Sequence, residues 1–194
     1  LFNILPKDIA DRLKAGETNI SNKHYDITIL FADIIRFTPQ AKLMKPEDIV
    51  LTLNNIFTEF DTLAQRFGLE KIKTIGDSYF AVGGLKGDPI KSALNTISLA
   101  REMNKVCKII NEEITEMIID LRVGIHSGEA ISGVIGKTKY TYDLWGSTIN
   151  LANRLETTCP VGKIQISEET KKLIGSKFQL DSHKKDIKGF GEIN

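Results

Sequence analysis

Ile27-Thr28-Ile29-Leu30-Phe31-Ala32-Asp33 is a β-branched, apolar run that ends in an acid. A segment apolar at nearly every position predicts a central strand buried on both faces. Beyond it, Pro46-Glu47-Asp48 opens a helix, with proline and two acids in its first turn. Ile49, Leu53, Ile56, Phe57, Phe60, Leu63, Ala64 and Phe67 keep helical spacing until Gly68 stops it. Lys71–Ile75 and Tyr79–Val82 around Gly76-Asp77 predict a hairpin. A second amphipathic helix starts after Asp88-Pro89 and runs through Cys107. Strands are predicted at Ile118–His126, at Ala130–Ile135 and at Lys163–Ser167, and helices at Ser147–Thr158 and Glu168–Ile174. The order is an α+β fold with a ferredoxin-like β-α-β-β-α-β core, additional helix and strands, and helices mainly on one face.

Upstream of the first strand, Leu5–Leu13 is helix-like and a polar stretch follows. Residues 1–21 are thus set apart as a linker or transducer-like segment, with a solvated tail as the alternative, and 22–194 as the domain. The chain has 194 residues, enough for one full core. Its 26 Lys and Arg stand against 25 Asp and Glu, which leaves no electrostatic footprint for a nucleic acid. The two cysteines, Cys107 and Cys159, have no histidine at ligand spacing. A zinc site or disulfide framework is not expected, and a reducing cytoplasmic setting is. No apolar run is long enough to span a bilayer, and the lack of an initial Met suggests a piece of a larger protein.

Two acids sit where chemistry is possible: Asp33 ends the apolar run, and Asp77 occupies the hairpin turn. Carboxylates brought together at strand ends suit hard divalent cations, and two such ions can clamp an attacking and a leaving oxygen. Either acid alone reads more readily as turn chemistry. In Tyr142-Asp143-Leu144-Trp145-Gly146-Ser147, Ser147 is placed to cap a helix on which Asn150 and Arg154 share a face. An amide beside a guanidinium suits a phosphate or a developing charge; the plainer reading is an exposed helix face.

Four stretches together resemble the class III nucleotidyl cyclases: Phe31-Ala32-Asp33-Ile34; Lys71–Tyr79; Val123-Gly124-Ile125-His126-Ser127-Gly128; and Tyr142-Asp143-Leu144-Trp145-Gly146 followed by Asn150 and Arg154. The resemblance covers roughly residues 22–192 and implies the catalytic fold of that family. It implies that Asp33 and Asp77, helped by the backbone carbonyl of Ile34, hold two Mg²⁺ or Mn²⁺ ions. It implies catalytic roles for Asn150 and Arg154, and substrate contacts from Lys73, Asp143, Leu144 and Lys188. It further implies ATP as substrate, a homodimer that builds each site from two chains, and upstream regulatory domains in a soluble or membrane-attached parent protein.

Lys73 and Asp143 stand where the family reads the purine. A donor-only ammonium and an acceptor-only carboxylate match N1 and N6 of adenine, and mismatch guanine at both edges. Guanylyl members resemble this chain less there, with Glu and Cys typical. The expectation is therefore an adenylyl cyclase, with a guanylyl cyclase or a weakly active nucleotide-binding domain as alternatives. The Gly-Gly-acid-acid-Phe turn of diguanylate cyclases is absent. Arg36 departs from the family, which commonly has glycine there.

Overall fold

The computed structural model describes residues 5–35, 37–42, 44–113 and 118–193, so Arg36 lies outside the described residues. The elements are α1 (Lys7–Lys14), β1 (Ser21–Ile35), α2 (Phe37–Ala41), α3 (Pro46–Phe67), β2 (Glu70–Ile75), β3 (Ser78–Gly83) and α4 (Pro89–Glu113), followed by β4 (Asp120–Ile135), β5 (Thr141–Trp145), α5 (Ser147–Thr158), β6 (Ile164–Ile166), α6 (Glu168–Ile174), β7 (Lys185–Ile187) and β8 (Gly191–Ile193). The main sheet runs β2-β3-β1-β4-β5, with β6 joining β4 in parallel. β1 and β2 are linked through α3 while β3 lies between them, which is the split arrangement of the ferredoxin-like core.

Alternation along β1 feeds two cores. Leu30, Ala32 and Ile34 pack with Ile56 and Phe60 of α3, Ile97 and Met103 of α4, and Ile174 of α6. Ile27, Ile29 and Phe31 face the other way, against Phe80 and Val82 of β3, Ile9 and Ala10 of α1, and Ala152 of α5. Phe31 and Phe80 stack with ring centroids 4.5 Å apart. Helices thus cover both faces, where they were expected mainly on one: α3, α4 and α6 pack on one side, α1 and α5 on the other.

Local signals set α3 to the residue. Pro46 opens it, Glu47 and Asp48 meet the positive end of its dipole, and Gly68 (φ 71°) caps it. Other boundaries differ from expectation. β4 is continuous from Asp120 to Ile135, where two strands were expected, because β1 pairs along nearly all of it across a register shift at His24/Ile27. β5, β7 and β8 had no counterpart in the sequence reading, being three to five residues long. Gly146, not Ser147, is the N-cap of α5, and no side chain closes that cap.

Candidate active site

The tip of β1 and the β2–β3 turn form an acid end. Gly76 takes φ 61° in that turn, a left-handed conformation that suits glycine. The Ile34 N–H donates to the Asp77 backbone carbonyl at 3.2 Å, fastening the turn beside Asp33. Ile34 itself is buried in the first core, which anchors the strand end from which Asp33 projects. Burial pushes the Asp33 carboxyl above its usual range, Arg122 opposes that rise, and the charge of Asp77 adds to it.

Arg122 and Glu156 complete this cluster, and the sequence reading missed both. Arg122 is the direct cross-strand partner of Asp33 in the β1–β4 ladder. Its Nη2 donates to Asp33 Oδ2 at 2.8 Å, and its Nη1 to the Thr157 carbonyl at 3.3 Å. Its Nε lies 3.2 Å from Glu156 Oε1. Glu156, on α5, is 4% exposed, and its carboxyl is pushed up to about 7, first by burial and then by the charge of Asp33. Gly124 brings α5 this close: a Cβ there would lie 2.1 Å from the Glu156 nitrogen and 2.4 Å from the Ala152 carbonyl. The signals in the sequence were Gly124 inside a strand and an acid on an otherwise apolar helix face; neither names its partner.

The rest of the Val123–Gly128 motif is structural. His126 Nδ1 and Ser167 Oγ are 2.7 Å apart, and Ser127 Oγ lies 2.9 Å from both Thr28 and Thr170 hydroxyls. These buried hydroxyls tie α6 to the sheet.

Lys73 on β2 and Asp143 on β5 belong to opposite edges of the β2-β3-β1-β4-β5 path, yet Lys73 Nζ donates to Asp143 Oδ2. The ion pair thus links the two ends of that strand path. The neighbours Ile72 and Leu144 both pack in the second core and hold the pair from below. The Leu144 N–H donates to Asp143 Oδ1 at 2.9 Å, so both carboxylate oxygens are occupied.

Asn150 and Arg154 are exposed on α5. Lys188 lies in the tight connection between β7 and β8, where Gly189 has φ 88°. Ile187 and Ile193 of that hairpin pack against Leu151 and Leu155, which docks Lys188 on the helix that carries Asn150 and Arg154. Of the residues expected from sequence, the fold therefore joins Asp33, Ile34 and Asp77 in one cluster and Lys73, Asp143 and Leu144 in another. Asn150, Arg154 and Lys188 share the α5 side.

Among the described residues no three His, Cys, Asp or Glu side chains group as a ready metal cage. The acid end still fits a hard cation. The charge of Asp77 makes Asp33 costlier to ionise, and Mg²⁺ needs only one or two protein carboxylates beside water and phosphate. No helix among the described residues is long and apolar enough to cross a membrane.

The family model for the adenylate and guanylate cyclase catalytic domain matches residues 20–193. An adenylate cyclase of Mycobacterium tuberculosis is 37% identical over 181 residues, 93% of this chain and 41% of that protein. A membrane guanylyl cyclase of Dictyostelium discoideum is 37% identical over 179 residues, 92% of this chain and 12% of that protein. The chain thus spans less than half the length of these relatives. The crystal structure of the adenylyl cyclase CyaB from P. aeruginosa superposes with a TM-score of 0.83 at 29% identity, covering 88% of this chain and 91% of that one. Fold, motif order and these likenesses agree: the chain belongs to the adenylate and guanylate cyclase catalytic-domain family, the class III nucleotidyl cyclases.

Proposed function

We propose that this domain is an adenylyl cyclase, converting ATP to 3′,5′-cyclic AMP and pyrophosphate at sites shared between two protomers of a homodimer. The observation that carries this reading is the Lys73–Asp143 pair, backed by the Leu144 N–H. The ammonium can only donate and the carboxylate can only accept. Adenine offers an acceptor at N1 and a donor at N6, so it can exchange one ion pair for two matched hydrogen bonds. Guanine sets donor against ammonium and acceptor against carboxylate. Where a site closes over its substrate, such mismatches discriminate by ~10⁴.

In this reading Asp33, Asp77 and the Ile34 carbonyl hold two Mg²⁺ or Mn²⁺ ions. Bound there, the cations would neutralise triphosphate charge and favour ionisation of the ribose 3′-hydroxyl. The 3′-oxygen attacks the α-phosphorus in line with the departing pyrophosphate, so positioning and charge stabilisation do most of the catalysis. Asn150 orients the ribose, Arg154 meets the charge that develops at the phosphorus, and Lys188 binds the triphosphate.

The partition of charge supports the shared site. Lys73 lies on the hairpin that carries Asp77, yet its ammonium pairs with Asp143. One protomer supplies the acids, and the other supplies Lys73, Asp143, Leu144, Asn150, Arg154 and Lys188. An exposed apolar strip supports a second copy: Ile131 and Trp145 are cross-strand neighbours, 48% and 40% exposed, and Tyr25 and Ile135 are more exposed still.

Residues 1–21 serve as a transducing element from upstream regulatory domains, in a parent protein that places this domain in the cytoplasm. Leu5, Ile9 and Ala10 pack in the second core, the one that contains Ile72 and Leu144, which gives such an element a mechanical route to the base pocket.

The test is product identity. The purified chain, supplied with ATP or GTP and with Mg²⁺ or Mn²⁺, should form cyclic AMP far faster than cyclic GMP. Equal or faster cyclic GMP formation would overturn the assignment.

A further inference from the structure

Arg122 stands between two carboxylates and is bonded well to only one. Its Nη2 donates to Asp33 Oδ2 at 2.8 Å. Its Nε and Glu156 Oε1 are 3.2 Å apart, but both are buried and, among the described residues, neither has a hydrogen-bond partner. They are close and misaligned. An ion pair in that geometry leaves part of its attraction unused, and a small rotation of the guanidinium would recover it. What prevents the rotation is the bond from Nη2 to Asp33.

The geometry points to a handover: Arg122 neutralises Asp33 while the acid end is free of divalent cation, and passes to Glu156 when a cation takes Asp33. Glu156 is in this account a positioning residue for metal loading. The inference rests on the proposal that Asp33 is a metal ligand. A divalent ion on Asp33 and a guanidinium on the same carboxylate repel each other strongly at contact distance. Arg122 then needs another acceptor within reach, since its Nε is shut off from solvent and a charged donor without a partner there is costly. Glu156 is that acceptor, fixed in place because Gly124 lets α5 lie directly on β4. Thr157, whose carbonyl already accepts from Nη1, keeps the pivot of the rotation in place.

Mn²⁺ binding to the nucleotide-free domain, followed by the electron-spin resonance of the free ion, separates the possibilities. Asp33→Asn should abolish tight binding; if it does not, the metal assignment of Asp33 falls, whatever Glu156 does. With that control in place, Glu156→Gln should weaken Mn²⁺ binding about tenfold, as loss of a supporting residue around a metal does. The same change made on an Arg122→Met background should have almost no effect, because there is no guanidinium left to receive. Equal weakening in both backgrounds would mean that Glu156 acts only through its charge, and would overturn the handover. Should Glu156→Gln fail to fold by circular dichroism, Glu156→Asp, which withdraws the carboxylate by one methylene, carries the same paired comparison with a smaller expected loss. In the native domain, Mg²⁺ should also shift the Arg122 Nε–H resonance, and this shift should vanish in Asp33→Asn. An Arg122 resonance indifferent to Mg²⁺ in a domain that binds it would contradict the proposal.

Discussion

The acid end and the purine pair are both built from charged side chains on one sheet, but they are balanced differently. Among the described residues, Arg122 pairs with Asp33 and Glu156 at the acid end, and the charge of Asp77 acts on both carboxyls. At the purine pair one ammonium meets one carboxylate, and the second carboxylate oxygen is filled by the Leu144 N–H. Among the described residues the first cluster holds more acid than base, which suits the proposed divalent cations. The second is internally paired, and on the proposed reading a base of matching pattern replaces its internal bond. If, as proposed, one region recruits charge and the other reads a pattern, substitutions in the two should fail in different ways.

The largest effect is expected at the acid end. Asp33→Ala and Asp77→Ala should each lower turnover by at least about a hundredfold with the fold intact, since each deletes a charged ligand worth several kcal/mol in the transition state. Steady-state cyclic AMP production beside circular dichroism checks this; near-native rates in both variants would remove the distinction between the regions. At the purine pair the change should be one of preference. Lys73→Glu combined with Asp143→Cys inverts the donor and acceptor pattern, and the ATP:GTP ratio of kcat/KM should fall by about a hundredfold. An unchanged ratio in a folded double variant would show that these residues do not read the base.

A smaller effect sharpens the contrast in stability. Glu156 has its carboxyl pushed from 4.5 to about 7, so the folded chain binds more protons there than the unfolded chain. The stabilisation from its protonated form is full below pH 4.5 and is lost as pH rises to about 7. Glu156→Gln should remove that slope, which amounts to ~3 kcal/mol at most. Denaturant unfolding at pH 5 and pH 8 measures it, and identical slopes in native and variant would contradict the burial argument.

What could be read in the sequence was what local rules determine. α3 carries its start, its period and its stop within its own residues. Asp33 and Asp77 were visible as acids at strand ends, and Lys73, Asp143, Asn150 and Arg154 through the motifs that contain them. Arg122 was not visible, because its partnership with Asp33 is a matter of register between strands 89 residues apart. Glu156 was hidden for the same reason: its burial depends on Gly124, in a different element. The split prediction for β4 followed Ser127-Gly128-Glu129, which resembles a turn until β1 is laid beside it. Strands as short as β7 and β8 show no period at all, so the hairpin that docks Lys188 on α5 had no signal beyond its glycines.

The central claim is that the two unlike regions act together across two chains, the acid end of one protomer serving the purine pair and α5 of the other. Mixing two dead variants tests it most directly. Asp33→Ala lacks a metal ligand on one half of every site, and Arg154→Ala lacks the transition-state cation on the other half. Random exchange makes about half of all dimers mixed, each with one intact site, so activity should recover to roughly a quarter of the native value. Subunit exchange verified by native mass spectrometry, with no recovery of cyclic AMP formation, would contradict the shared site.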